Sequence, residues 1–476
     1  MGIVSRFFLW GLILLAGTLP VPAQGIPPRQ AEFLRALAAE IRLQCERNPQ
    51  RIQLWIQLGD VLLQLEELEP AGRAWARARQ LDPANQEIRA RFAYLRFLQG
   101  ERKASLQELR ALAGGEDCSA RILYFLGVCE RSVGQIEAAE KSFRQAQQCD
   151  STDVASRLAW LEILRARLPV AELLASYREL LELAPHNATL HLWFAEALID
   201  IGKPVAAISE GRLLVEQHPD WIPAQLVLAR AYFAANDDLS TIFVLEHLPR
   251  EKLDAPASLT LGKAKARLGL PEDAVRYLEL SIRLGANALE AQRELAQVYL
   301  FQGLHARAEE LLGSLLAQSP DDYDTGFLWA NLLVQRGEYD RALSFLRGLA
   351  QRDLSRPEAF EGQGYIALRR GDWEGARDAL QKAASRSSTN PRVYEELGQA
   401  LSRLGEHEKA LDALRRAIQL MPSRAEPHYI AGRILQRLGR LEEAKRALES
   451  AKNLSQQQRG AGRGGMTATP PVPNQP

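Results

Sequence analysis

Residues 391–424 read PRVYEELGQALSRLGEHEKALDALRRAIQLMPSR, and residues 425–458 read AEPHYIAGRILQRLGRLEEAKRALESAKNLSQQQ. Aligned with each other, both stretches have a small residue at the eighth position, a glycine after the first apolar run, and then an alanine and a leucine. Apolar residues in each stretch fall three, four and seven apart, which is the spacing of one helix face. Each 34-residue stretch is therefore predicted to form two amphipathic helices joined by a short turn.

The same register organises nearly the whole chain into twelve repeats, and only the sixth is shorter, by one residue. The repeats begin at Ile52, Gln86, Ala120, Val154, Ala188, Ile222, Ala255, Leu289, Tyr323, Pro357, Pro391 and Ala425. Gly or Ala occupies the eighth position in all repeats but the fourth, which permits close contact between the two helices of a repeat.

Glycines occupy the predicted turn between the two helices in nine repeats, where the chain must adopt a left-handed conformation. These are Gly100, Gly134, Gly202, Gly269, Gly303, Gly337, Gly371, Gly405 and Gly439. In the sixth repeat, Asn236 is predicted to take the same conformation.

At these positions the chain resembles the tetratricopeptide repeat (TPR), a 34-residue helix-turn-helix with a small residue, a turn glycine, an alanine, a leucine or aromatic residue, and a proline in this order. The resemblance covers residues 52–458. It implies an all-α fold, an α-solenoid in which TPR helix pairs stack as a right-handed superhelix. Irregular geometry is expected at 154–187, where Leu161 and Leu173 replace small residues, and at 222–256.

The segments outside the repeats have distinct compositions. Residues 1–23 are predicted to be a secretory signal peptide, because Arg6 precedes a short apolar stretch and Val21-Pro22-Ala23 provides a cleavage pattern. Residues 24–51 contain an apolar stripe typical of an N-terminal capping helix, and residues 459–476 form a Gly/Pro-rich tail predicted to be disordered. The protein is thus expected to be exported, periplasmic or secreted, with no membrane span after signal removal.

Four cysteines are present, three of them around the third repeat. Cys118 and Cys149 are expected near equivalent edges of successive repeats, roughly 10 Å apart, which is too far for a disulfide. Buried free thiols are the favoured interpretation, and a disulfide is the alternative.

Composition and motifs argue against several classes of function. Lys plus Arg equals Asp plus Glu at 59 each, so no overall field favours nucleic acid. Catalytic and phosphate-binding motifs are absent from the sequence, and the seven histidines are scattered. The sequence therefore predicts a protein that is not an enzyme and has no cofactor and no metal site.

The inner face of the first helices, which lines a concave groove in TPR arrays, is the predicted binding surface. Its candidate residues are two aromatic patches flanking a basic stretch: Tyr94, Phe97, Tyr124, Arg131, Arg230, Lys263, Arg267, Arg293, Phe301, Phe327, Asn331 and Tyr365. Aromatic and Arg side chains dominate binding hot spots. Two alternatives stay open, namely that the rings pack against neighbouring helices and that the charges form a solvated mixed face.

The predicted function is a non-enzymatic protein–protein interaction scaffold of the bacterial periplasm or cell envelope, which binds an extended peptide or a partner protein in the groove. The alternative is a periplasmic TPR subunit associated with polysaccharide handling or export, whose Arg/Lys stretch would bind acidic sugars.

Overall fold

A computed structural model describes residues 26–115, 119–165, 167–285, 288–386 and 389–462. These residues contain twenty-five α-helices and no β-strand. The predicted signal peptide, Cys118 and the tail after residue 462 lie outside them. The prediction of an all-α fold built as a TPR α-solenoid is confirmed.

The chain divides into two compact bodies, an N-terminal body ending at Leu253 and a C-terminal body beginning at Asp254. The N-terminal body comprises α1 (Pro28–Arg47), α2 (Ile52–Gln64), α3 (Leu68–Leu81), α4 (Gln86–Leu98), α5 (Arg102–Ala113), α6 (Ala120–Ser132), α7 (Ile136–Cys149), α8 (Val154–Leu164), α9 (Val170–Leu183), α10 (Ala188–Asp200), α11 (Pro204–Gln217), α12 (Ile222–Ala234) and α13 (Asp238–Glu246). The C-terminal body comprises α14 (Ala255–Arg267), α15 (Pro271–Leu284), α16 (Ala288–Phe301), α17 (His305–Gln318), α18 (Tyr323–Gln335), α19 (Tyr339–Arg352), α20 (Glu358–Arg370), α21 (Trp373–Ala384), α22 (Pro391–Arg403), α23 (His407–Leu420), α24 (Ala425–Arg437) and α25 (Leu441–Gly462).

Even-numbered helices from α2 onward are the first helices of the twelve repeats, and odd-numbered helices from α3 onward are the second. The first helices start at the predicted residue except α16 and α20, which start one residue earlier and one later. Within each body, a second helix packs against the first helix of its own repeat and against that of the next repeat. The core is thus a continuous series of interfaces between neighbours.

The residue at the eighth position is small because a larger one would clash with the second helix of the same repeat. A Cβ atom added to Gly398 would lie 2.7 Å from Leu414 Cγ, and one added to Gly127 would lie 2.6 Å from a ring carbon of Phe143. Both large side chains are completely buried on the second helix of the same repeat. The glycine therefore makes room for the side chain that fills the space between the two helices.

The turns adopt the left-handed conformation that the sequence predicts. All nine predicted turn glycines have positive φ angles, and so does Asn236, at 59°. In the first repeat, Glu66 occupies the turn with a φ of 60°, which the sequence did not reveal.

Repeats 4 and 6 differ from the others. In repeat 4, α8 has only 11 residues, and Leu161 and Leu173 are both buried in place of small residues. In repeat 6, α13 has only 9 residues and is followed by a 3-10 turn at Arg250–Lys252.

The two ends of the array are covered by helices. The predicted apolar stripe on α1 is buried, and α1 packs on α2; the residues of the stripe are Ala31, Leu34, Ala38, Ile41 and Cys45. At the other end, α25 continues to Gly462, past the predicted boundary at residue 458. Among the described residues, no helix combines the length and apolar character needed to cross a membrane.

The expectation of free thiols is wrong for one cysteine. Cys45 and Cys129 are free and buried, and burial raises the pKa of Cys45 to about 11. Cys149, however, is disulfide-bonded. The sequence-based distance took one helix diameter as the separation of equivalent repeat edges, and Cys149 is the last residue of α7, where the helix spacing no longer fixes the path of the chain.

Candidate partner-binding face

The candidate surface is built from the fifth, ninth, twelfth and thirteenth residues of each repeat, which lie on its first helix and which we call the first-helix face. These positions are separated by four, three and one residues, so they lie on the same side of a helix. Consecutive first helices contact each other throughout the C-terminal body and, in the N-terminal body, between repeats 2 and 3, 3 and 4, and 5 and 6. Equivalent positions of neighbouring repeats are therefore adjacent.

The first predicted aromatic patch belongs to the core. Tyr94, Phe97 and Tyr124 are only 2%, 6% and 2% exposed. Tyr94 stacks on Phe125 of the next repeat, with ring centroids 4.7 Å apart. Burial raises the pKa of both tyrosines well above the usual range. The structure therefore favours the packing alternative for these three rings, which are not available to a partner in this conformation.

The second predicted aromatic patch is partly accessible. Phe301 is 44% exposed, at the C-terminal end of α16. Phe327 and Tyr365 are half-buried and pack against the core of the C-terminal body, and Asn331 is half-buried beside them on α18. Phe301 is thus the predicted ring with the largest exposed surface.

Carboxylate side chains form ion pairs with most of the basic residues predicted for this face. Arg131 pairs with Glu162. Arg230 lies 3.4 Å from Glu196.

In the C-terminal body, predicted basic residues also form ion pairs with carboxylates. Lys263 Nζ lies 2.9 Å from Glu290 and 3.3 Å from Glu294, and Arg293 lies 2.6 Å from Asp324. Arg267 is exposed at the end of α14. Along this stretch the face has mixed charge, which is the second alternative that the sequence left open.

Four further arginines form a basic cluster that the sequence reasoning missed. We call Arg369, Arg403, Arg433 and Arg437 the arginine row. Three of them occupy the thirteenth position of repeats 10 to 12, and Arg433 lies one helical turn before Arg437. All four are exposed, and none forms an ion pair with a carboxylate in the described part of the chain. Their recurrence at 34-residue intervals was the available signal.

Aromatic rings support two members of the row. The Arg369 guanidinium lies 5.1 Å from the centre of the Tyr365 ring, and its Nε donates a hydrogen bond to the Tyr365 hydroxyl at 3.0 Å. The Arg403 guanidinium lies 5.3 Å from the centre of the Trp373 ring. Such cation–π contacts hold a long side chain in one position.

Two acidic residues on the same helices interact with residues outside the arginine row. Glu395 pairs with Arg424, and Glu361 accepts a hydrogen bond from Asn390 at 3.0 Å. Burial raises the pKa of Glu396 to about 7, and the nearby charges of Glu395 and Glu361 act in the same direction.

The described residues offer no arrangement suited to a metal, since no group of three or more His, Cys, Asp or Glu side chains is placed to hold one. The buried His191 instead contacts Glu210 at 2.7 Å and the Pro185 carbonyl at 2.9 Å. What the first-helix face can do chemically is form salt bridges, hydrogen bonds and apolar contacts.

Comparisons with known proteins agree with the repeat register. Family models described as "Tetratricopeptide repeat" match residues 120–153, 259–323, 327–391, 391–424 and 425–458. Three of these matches begin at predicted repeat starts. No curated protein matches the chain. Among solved structures, one chain of "Crystal structure of APC/C hetero-tetramer Cut9-Hcn1" is similar, with 12% identity, 91% of this chain and 97% of that chain covered, and a TM-score of 0.42.

Proposed function

Because the chain is a tetratricopeptide repeat protein, a class whose repeats imply protein partners, we propose that it is an exported, non-enzymatic scaffold that binds another protein or an extended peptide on the first-helix face. The observation that carries this proposal is the contact between consecutive first helices. From repeat 7 to repeat 12, that contact places equivalent exposed positions of successive repeats side by side. A strip of this kind suits an extended ligand better than a compact small molecule, which needs a concave pocket.

A protein ligand is favoured over an acidic polysaccharide for the predicted basic stretch. The polysaccharide alternative depends on free positive charge at Arg230, Lys263, Arg267 and Arg293. Carboxylates lie within ion-pair distance of Arg230, Lys263 and Arg293. An anionic sugar chain there would have to displace these internal partners.

Export is the second part of the proposal. The apolar N-terminal stretch ends in Val21-Pro22-Ala23, and the disulfide at Cys149 is typical of proteins in an oxidising compartment. The periplasm or the cell exterior fits both features. Mass spectrometry of the native protein should find Gln24 as its first residue, and an intact Met1 or Gly2 end would contradict export by signal cleavage.

Site-specific photo-cross-linking tests the binding face. A photoreactive residue is introduced at Gln399, which is exposed at the ninth position of α22, or at Gln381, which is exposed on the second helix α21. We expect a cross-linked partner protein from envelope extract with the first variant only. Cross-linking from Gln381 alone would move binding to the opposite surface and overturn the proposal.

A further inference from the structure

We infer that the arginine row (Arg369, Arg403, Arg433 and Arg437) is the docking site for an extended acidic segment of a partner protein, an inference that rests on the proposed function and specifies its ligand. The row lies entirely within the C-terminal body, on three consecutive first helices.

The charge of the first-helix face differs between its earlier repeats and repeats 10 to 12. Earlier repeats pair their first-helix cations with carboxylates of the next repeat, as in Lys263 with Glu290 or Arg293 with Asp324. In repeats 10 to 12, Glu395 pairs with Arg424 and Glu361 accepts a hydrogen bond from Asn390, while Glu396 acts electrostatically on Arg369 without forming an ion pair with it. The arginine row thus keeps an uncompensated positive charge, which attracts an acidic ligand.

The spacing of the row matches an extended polypeptide. Packed helices lie about 9 Å apart, so Arg369, Arg403 and Arg437 are separated by roughly that distance from one first helix to the next. An extended chain rises about 3.3 Å per residue, and three residues span about 10 Å. Arg433 and Arg437, one turn or about 5.4 Å apart along the helix axis, can hold one carboxylate between them.

The supporting rings favour a carboxylate-bearing peptide over a sugar chain. Arg369 lies over one face of Tyr365, and Arg403 lies over one face of Trp373, so that face of each ring is not free to stack on a sugar ring. The same contacts leave terminal N–H groups of both guanidinium groups to form paired hydrogen bonds with carboxylates. Because the two side chains are already positioned, less side-chain entropy is lost on binding.

The test measures binding of a fluorescent peptide of about twelve residues, with Glu at every third position, to the full mature chain. The triple variant Arg369→Gln/Arg403→Gln/Arg437→Gln is compared with Arg347→Gln/Arg416→Gln/Arg446→Gln, which removes the same charge from exposed positions on second helices. We expect the first variant to bind at least about 10-fold more weakly and the control to bind within about 2-fold of wild type. Binding by wild type should also weaken between about 50 mM and about 500 mM salt.

Three outcomes would overturn the inference. One is no binding of the acidic peptide by wild type. Another is an equal loss of affinity in both triple variants, which would show a response to net charge alone. The third is tighter, row-dependent binding of polygalacturonate, which would identify an anionic polysaccharide as the ligand. In each case the proposed function is judged separately, because cross-linking at Gln399 does not require an acidic probe.

Discussion

At the scale of single residues, the eighth position of each repeat sets how closely two helices pack. In Gly398→Ala, the new methyl group would lie 2.7 Å from Leu414 Cγ, so we expect a loss of about 1–3 kcal/mol in the free energy of unfolding. Gly348→Ala is the matched control, because nothing lies within 4 Å of its added Cβ in α19. It should stabilise by about 0.5–1 kcal/mol through helix propensity. Urea unfolding of both variants measures the difference, and equal effects would refute the steric explanation.

Glu66 offers a second test at this scale, because a non-glycine residue with a φ of 60° is strained. Glu66→Gly should raise the free energy of unfolding by about 1 kcal/mol. Asn236→Gly is the comparison, since Asn tolerates this conformation better and should gain less. A thermal melt in which Glu66→Gly is no more stable than wild type would contradict the strain.

At the scale of one element, Glu396 on α22 makes stability depend on pH. Its folded-state pKa of about 7 lies above the usual 4.5, so between these values the folded chain holds a proton that the unfolded chain has released. The free energy of unfolding therefore falls as pH rises from about 4.5 to about 7, and it stays lower above that range. Because the half-buried carboxyl is still partly screened by water, the fall should be on the order of 1 kcal/mol.

Glu396→Gln should remove this dependence, giving a chain more stable than wild type at pH 8 and equally stable at pH 4. The exposed Glu449 provides the control, and Glu449→Gln should not change the pH profile. Urea unfolding at both pH values compares the three proteins. A wild-type profile that is flat between these limits would contradict the raised pKa.

The sequence predicted the helices and most of their turns correctly, but it did not predict the contacts between residues of different repeats. The repeat register predicted that Gly398 lies against Leu414, because both residues occupy constant positions within one repeat. It did not reveal that Tyr94 stacks on Phe125, because that contact joins different positions of neighbouring repeats. Ion pairs such as Arg230 with Glu196 join the same position in successive repeats, so comparing adjacent repeats by charge would have found them.

At the scale of the whole molecule, the helices of each body pack mainly on their neighbours, so stability should vary along the chain. Repeat 6 is the expected weak point. Its second helix α13 has 9 residues and buries only Thr241 and Leu245, while Leu239 and Phe243 are 72% and 65% exposed. The corresponding helix of repeat 11, α23, has 14 residues, of which five are buried.

Amide hydrogen exchange of the full mature chain should therefore find α13 and the turn at Arg250–Lys252 opening before α23, because less buried apolar surface holds them closed. The comparison is internal, since both helices occupy the same place in the repeat and neither is at a chain end. Leu245→Ala should speed exchange mainly in repeat 6 and its neighbours, whereas Leu414→Ala should do so around repeat 11. Equal protection of α13 and α23, or a uniform response to either substitution, would show that the array opens as one cooperative body and not repeat by repeat.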